Sequence, residues 1–125
     1  MPQKPQLLPG FTATLDRLVY DPERGAHLEK PHLFIYFITI HNKSDQALTV
    51  KGRKWVVREA NGEVMILEGE GVVGSFPHLK PGEKFSYNSC HTTHGAAIAE
   101  GSYLGLTDLG EAVIAPIHSF ELVPE

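Results

Sequence analysis

The chain has one cysteine, no surplus of positive charge and no long apolar run, and each shortage removes a class of protein. A single thiol cannot form an internal disulfide. The 125 residues must therefore be held by a buried core, which a domain of this length can build. With 11 Lys and Arg against 15 Asp and Glu the formal charge is -4. The cations are scattered, so no basic field attracts nucleic acid or anionic lipid. Nothing approaches the roughly 20 apolar residues of a membrane span. The first ten residues hold three prolines, Pro2, Pro5 and Pro9, and no apolar signal-peptide run. They read as a flexible or polyproline-like segment before a single domain over residues 11–125. The expectation is a cytoplasmic protein without nucleic-acid or membrane partners.

Helical periodicity is missing too; the apolar residues alternate. Phe11, Ala13 and Leu15 share one face, and Leu18 and Tyr20 continue in the opposite phase, so a bulge is expected at Asp16-Arg17. Leu33 to Ile40 is apolar on both faces and reads as a central strand. A turn at Asn42-Lys43-Ser44-Asp45 leads to a short return strand at Leu48-Thr49-Val50, expected beside the central strand. The next strand carries Arg53, Trp55 and Val57 on one face. Trp55 is expected to anchor the core, with Arg53 stacked on it, paired with a carboxylate or left in solvent. Asn61-Gly62 predicts a type I′ hairpin turn into Val64–Leu67. Pro81-Gly82 predicts a type II turn leading to Phe85, at a corner where a tyrosine would offer a hydroxyl and phenylalanine offers packing alone. A last hairpin crosses Asp108-Leu109-Gly110, with Pro116 at an edge or bend. Seven or eight short strands of this kind predict an all-β sandwich of antiparallel strands.

The chain is organised around Glu68-Gly69-Glu70-Gly71-Val72-Val73-Gly74-Ser75-Phe76-Pro77. Gly69-x-Gly71-x-x-Gly74 has the spacing of a dinucleotide fingerprint, whose glycines turn a strand into a helix. Pro77 and Pro81 fall where that helix should run, and Glu68 and Glu70 repel a phosphate. The glycines are better read as positions of positive φ or a bulge, with a weak anion nest as the alternative. Val72, Val73 and Phe76 are then surplus apolar side chains that must fold back onto a sheet or meet a partner.

These residues resemble the ApaG family, also called the DUF525 domain. The resemblance rests on Gly69 to Gly74, then Pro77 and Leu79-x-Pro81-Gly82-Glu83-x-Phe85-x-Tyr87-x-Ser89. Tyr36-Phe37-Ile38-Thr39-Ile40-x-Asn42, Arg53-x-Trp55, Gly101-x-Tyr103 and Pro116-Ile117-x-x-Phe120-x-Leu122 extend it over about residues 11–123. Two places depart from the family pattern: Lys54, where histidine is common, and Cys90 to Ile98. The resemblance implies an immunoglobulin-like or fibronectin type III-like fold. It also implies a recognition module, because such domains occur in F-box ubiquitin-ligase subunits and a polymerase-delta-interacting protein. The bacterial family is associated with cobalt and magnesium resistance.

Three constellations bear on chemistry. Cys90-His91-x-x-His94, read as a polar loop, with His118 elsewhere, offers zinc-type ligands, but at one place in the chain where structural zinc needs two pairs. Cys90 with His91 or His94 and Asp108 has the residue types of a nucleophile, base and orienter, without evidence that they meet in space. Glu68 and Glu70 share a face but read as a solvated rim. The expectation is a non-enzymatic module with no cofactor and no native metal. Its partner is a protein, met through Gly69, Gly71, Val72, Val73, Gly74 and Phe76, and the chain itself is a monomer or weak homodimer. Arg53, Trp55, Pro81, Gly82 and Phe85 serve the structure. The alternative is a small-ligand protein binding a phosphate compound or divalent cation at the glycine loop.

Overall fold

In the computed structural model, which describes residues 4–125, the alternating stretches become strands. In chain order they are β1 (Gln6–Leu7), β2 (Phe11–Tyr20), a one-turn helix α1 (Pro22–Gly25), β3 (His32–Asn42), β4 (Leu48–Glu59), β5 (Val64–Glu70), β6 (His78–Leu79), β7 (Lys84–Thr93), β8 (Ala97–Thr107) and β9 (Ala112–Leu122). β3 lies in the middle of the sheet β2-β3-β7. The other sheet runs β1-β9-β8-β4-β5, with β6 added to β4. Apart from the parallel β1–β9 contact, the pairings are antiparallel. The inner faces of both sheets share one apolar core. This is the expected immunoglobulin-like β-sandwich.

β3 holds the centre because its sequence suits burial on one face and partial burial on the other. Phe34, Tyr36, Ile38 and Ile40 are buried, and Ile35 and Phe37 are half-buried on the outer face. Each buried side chain of this size contributes about 1.5–3 kcal/mol. Opposite them, Trp55 is fully buried, its ring 5.0 Å from Tyr36, 4.9 Å from His91 and 5.9 Å from Phe120. The bulge expected near Asp16 is present, as the β2–β3 register shifts between Leu15 and Arg17. The Asp16 carboxylate accepts a hydrogen bond from Thr39 Oγ1, tying the bulge to the central strand.

Four local expectations are corrected. Leu48–Val50 and Arg53–Val57 form one strand, interrupted by a register shift between Val50 and Gly52, and it pairs in the second sheet rather than with β3. The Asn61-Gly62 turn is not type I′, since only Gly62 has positive φ (95°). Gly62 N donates to Glu59 O and Glu59 N to Glu63 O, a three-residue turn closed by a glycine bulge. Cys90 to Thr93 is strand, not loop. Lastly, Gln6 and Leu7 pair with Val113 and Ile114, so part of the segment expected to be flexible is ordered; residues 1–3 lie outside the described residues.

The Pro81-Gly82 turn forms as predicted, with Gly82 at φ 91° and Glu83 N donating to Lys80 O. What holds it is not Phe85, which is half-buried and stacked on Tyr87. It is Asn42, fully buried at the end of β3. Asn42 Nδ2 donates to Gln46 O (2.8 Å) and Leu79 O (2.9 Å), while Oδ1 accepts from Ser44 N and Oγ. Its backbone N–H and C=O pair with Glu83 O and Gly82 N.

Candidate functional site

Among the described residues β5 is an edge strand, paired only with β4, and it carries the chain into the glycine stretch. Gly69 is still within β5, opposite Arg53. The Arg53 guanidinium lies across Gly69, where a Cβ would sit 2.6 Å from Nη1. From there Nη1 donates to Glu70 O (3.1 Å) and Gly71 O (3.2 Å). Arg53 therefore neither stacks on Trp55 nor pairs with a carboxylate. It clamps the backbone where the strand ends.

Beyond the clamp the chain makes a miniature hairpin. Val72 N donates to Ser75 O (2.7 Å) and Ser75 N to Val72 O (3.0 Å), leaving Val73 and Gly74 as the two turn residues at φ 47° and 82°. Positive φ at both central positions is the type I′ signature. Val73 is the one non-glycine residue at positive φ among the described residues. A β-branched side chain there is strained by about 1–3 kcal/mol. The turn sorts the three apolar side chains. Val72 is fully buried and joins the core, so it is no part of an exposed surface, whereas Val73 is 58% and Phe76 51% exposed. Val64, Ile66 and Leu67 of β5 are exposed as well.

No helix follows the glycines. Val50 N donates to Pro77 O, and His78-Leu79 pairs with Leu48-Thr49 as β6. The dinucleotide geometry, with a helix N-terminus aimed at a pyrophosphate, is absent from this stretch. Glu68 and Glu70 are exposed, and Glu68 meets Lys54 Nζ at 3.5 Å. With Ser102, Leu104 and Ile114 they line an open depression of about 470 Å³ on the second sheet.

The Cys90 segment separates the residues that its sequence places side by side. Strand alternation turns Cys90 outward, exposed, and His91 inward, 3% exposed. Burial lowers the His91 pKa to about 4, and its Nε2 has no hydrogen-bond partner among the described residues. His94 sits in the β7–β8 turn beside Glu59 and Glu63. Asp108 lies in the turn before β9, bonded to His78. It is at the end of β4 marked by the Leu48–Thr107 pair, away from the Glu59–Ala97 end where His94 lies. The expected nucleophile, base and orienter do not meet. Beneath the Arg53 clamp, the hydroxyls of Tyr87 and Tyr103 share a hydrogen bond. Burial raises the pKa of Tyr36, Tyr87 and Tyr103, with the nearby Arg53 charge a smaller opposing influence. All three remain neutral hydroxyls at neutral pH. Glu59 and Glu63 escaped the sequence reading, although the Asn61-Gly62 hairpin signal brings them opposite each other. Their meeting with His94 depends on the packing of two distant turns.

The ApaG domain profile matches residues 22–105. Protein ApaG from Shewanella loihica is 41% identical over 106 residues, covering 82% of each chain. Protein ApaG from Beijerinckia indica is 39% identical over 102 residues, 81% of this chain and 78% of that one. Among solved structures, the crystal structure of a protein described as ApaA from Bordetella pertussis superimposes with a TM-score of 0.80 at 27% identity, covering 93% of this chain and 96% of that one.

Proposed function

The chain belongs to the ApaG family, and from that premise we propose that it is a non-catalytic protein-interaction module whose contact surface is the Val73–Phe76 tip with the adjoining edge of β5. The observation carrying this reading is Val73, an exposed β-branched residue held at φ 47°. Folding gains little from burying it, yet the fold tolerates its strain. Strain of that kind clusters where a chain makes contacts beyond itself. The Arg53 clamp and the buried Val72 fix the base of the turn, so its apolar tip is presented at low entropic cost. Glu68 and Glu70 supply a polar rim. The edge of β5 beside the tip, unpaired among the described residues, offers backbone donors and acceptors to an extended partner segment.

A non-enzymatic role is supported by the separation of Cys90, His91 and Asp108, which assembles no nucleophile and base. The acidic rim and the β6 strand after the glycines argue against a phosphate ligand at this loop. The partner is a protein; nucleic acid and membrane are disfavoured by the charge of -4. Among the described residues no helix is long and apolar enough to cross a membrane.

The test is crosslinking and affinity purification from the native cell with the parent chain and with Val73→Asn/Phe76→Ser. The double variant is expected to keep its melting temperature and to lose specific partners or a weak homodimer. An unchanged partner set would remove the loop from the interaction surface. Calorimetry with pyrophosphate or ATP is expected to show nothing tighter than about 1 mM. Stoichiometric micromolar binding would favour the ligand-protein alternative.

A further inference from the structure

At the other end of β4 from the glycine loop, three side chains from separate segments converge. Glu59 ends β4, Glu63 follows the hairpin turn and His94 belongs to the β7–β8 turn. One donor atom from each lies within 4.8 Å of the others. We propose that Glu59, Glu63 and His94 form a binding site for a single divalent transition-metal cation of the zinc type, with its remaining coordination positions open to water.

Two independent features point to a cation. The first is the state of Glu59, whose side chain is only 4% exposed. Its Oε1 accepts from the backbone N–H groups of His94 (2.7 Å) and Gly95 (3.3 Å), which fixes the carboxylate in place. Its Oε2 faces His94 Nδ1 at 3.7 Å and Lys30 Nζ at 3.6 Å. Both lie beyond hydrogen-bond reach, and Oε2 has no hydrogen bond among the described residues. That oxygen is held only by two loose ion pairs on a carboxylate otherwise fixed in place, so it is free to coordinate a cation directly.

The second feature is that two carboxylates approach one ring nitrogen. Glu63 Oε2 is 3.1 Å from the same His94 Nδ1. A ring nitrogen carries at most one hydrogen and so serves one of the two oxygens. A divalent cation placed among the three serves all of them. Metal–ligand bonds of about 2.0–2.2 Å in a tetrahedral shell put neighbouring donors roughly 3.3 Å apart. The 3.1 and 3.7 Å separations from His94 lie on either side of that value, and with all three donors within 4.8 Å of one another a shift of the exposed Glu63 side chain closes the site. One imidazole with two carboxylates suits zinc-type cations, whereas calcium and magnesium favour shells of oxygen alone. Lys30, at the end of a flexible and partly exposed stem, is the counter-charge that the metal would displace.

This site neither uses nor depends on the glycine loop, so its test is separate from that of the proposed function. Zinc chloride is titrated by calorimetry into the chelator-treated full chain, with magnesium chloride in parallel, and His94 ring signals are followed by NMR. The parent chain is expected to bind one zinc with a dissociation constant below about 0.1 mM, and to show no comparable magnesium binding. Glu63→Gln and His94→Gln, both at partly exposed positions and checked for an intact fold by circular dichroism, should each weaken zinc at least about tenfold. His118→Gln, on an exposed position of β9, should not. No zinc binding tighter than about 1 mM overturns the site, as does zinc binding left unchanged by either variant or weakened equally by His118→Gln.

Discussion

Arg53 lies where the side chain of residue 69 would be, and Gly69 is what makes room for it: a Cβ at 69 would stand 2.6 Å from Nη1 and 2.9 Å from Cζ. The pair turns the end of an edge strand into a fixed platform, because the same Nη1 reaches the carbonyls of Glu70 and Gly71.

Gly69→Ala displaces the tip of a flexible side chain rather than backbone, so the chain should still fold while losing the clamp, at a cost of about 1–3 kcal/mol. Arg53→Ala removes the same bonds from the other side. The two variants are therefore expected to be strongly non-additive in urea melts, since the second has little left to remove. Additive losses would mean that Arg53 and Gly69 stabilise the fold by separate routes.

Trp55 and Gly101 stand in a related but stiffer relationship. A Cβ at 101 would lie 2.6 Å from Cζ3 of an indole wedged among Tyr36, His91 and Phe120, which cannot swing aside as arginine can. Trp55→Ala should cost about 3–5 kcal/mol through lost transfer energy and the cavity left behind. Gly101→Ala should be as damaging as a typical overpacked core, about 1–3 kcal/mol. Thermal melts of the two variants check this. A neutral Gly101→Ala would mean that the indole has room to shift.

What the sequence disclosed is the part of the fold that local chemistry decides. The alternation from Phe34 to Ile40 marks the central strand, and the change of phase at Asp16 marks the bulge. Pro81-Gly82 makes the turn its residue types require. What stayed hidden depends on contacts between distant segments. The type I′ turn fell at Val73-Gly74 rather than Asn61-Gly62, because Val72 is anchored in the core and Arg53 clamps the chain before it; neither constraint is written in the turn. Cys90 to Thr93 read as loop because Cys, His and Thr carry no apolar alternation. That segment is nonetheless held as strand by pairing with Leu33, Phe34 and Ile35 of β3. Asn42 looked like a turn former and proved to be a buried staple, a distinction only its partners Gln46 and Leu79 reveal.

Asn42→Asp tests that staple with almost no change in size. The substitution replaces an amide donor facing two carbonyls with an acceptor, leaving Gln46 O and Leu79 O without their partner in a fully buried place. A loss of about 3 kcal/mol or more is expected, with faster hydrogen exchange around Lys80–Glu83. Unchanged exchange in that turn would remove Asn42 from its support.

His91 sets an acid limit. Its folded pKa is lowered by burial to about 4 against 6.5 for a free imidazole. Above pH 6.5 both folded and unfolded chains keep it neutral, and its contribution to stability is fully present. As pH falls from 6.5 toward 4 the unfolded chain takes up a proton that the folded chain refuses. Stability drops by up to about 3 kcal/mol across that window and levels off below it. His91→Met, of similar bulk and without a titrating group, should lose less between pH 7 and pH 4.5 in urea melts than the parent. Equal losses would assign the acid sensitivity to other groups.

The turn residue Val73 offers the sharpest separation of stability from interaction. At φ 47° its Cβ is strained, while its 58% exposure means that removing the side chain forfeits little burial. Val73→Gly relieves the strain but adds freedom to the unfolded chain, worth about 0.4–1 kcal/mol in the opposite direction. The net effect should lie between neutral and a gain of about 1 kcal/mol, a melting temperature that holds or rises by a few degrees. Val73→Asn should behave similarly, because asparagine tolerates positive φ better than valine does. Both are expected to weaken partner capture even though neither weakens the fold. A protein-interaction tip predicts that pairing of outcomes, whereas a side chain packed for stability predicts that both variants melt earlier. If Val73→Gly costs more than about 1 kcal/mol, the valine is part of the core support of the turn, and the contact surface rests on Phe76 and the edge of β5.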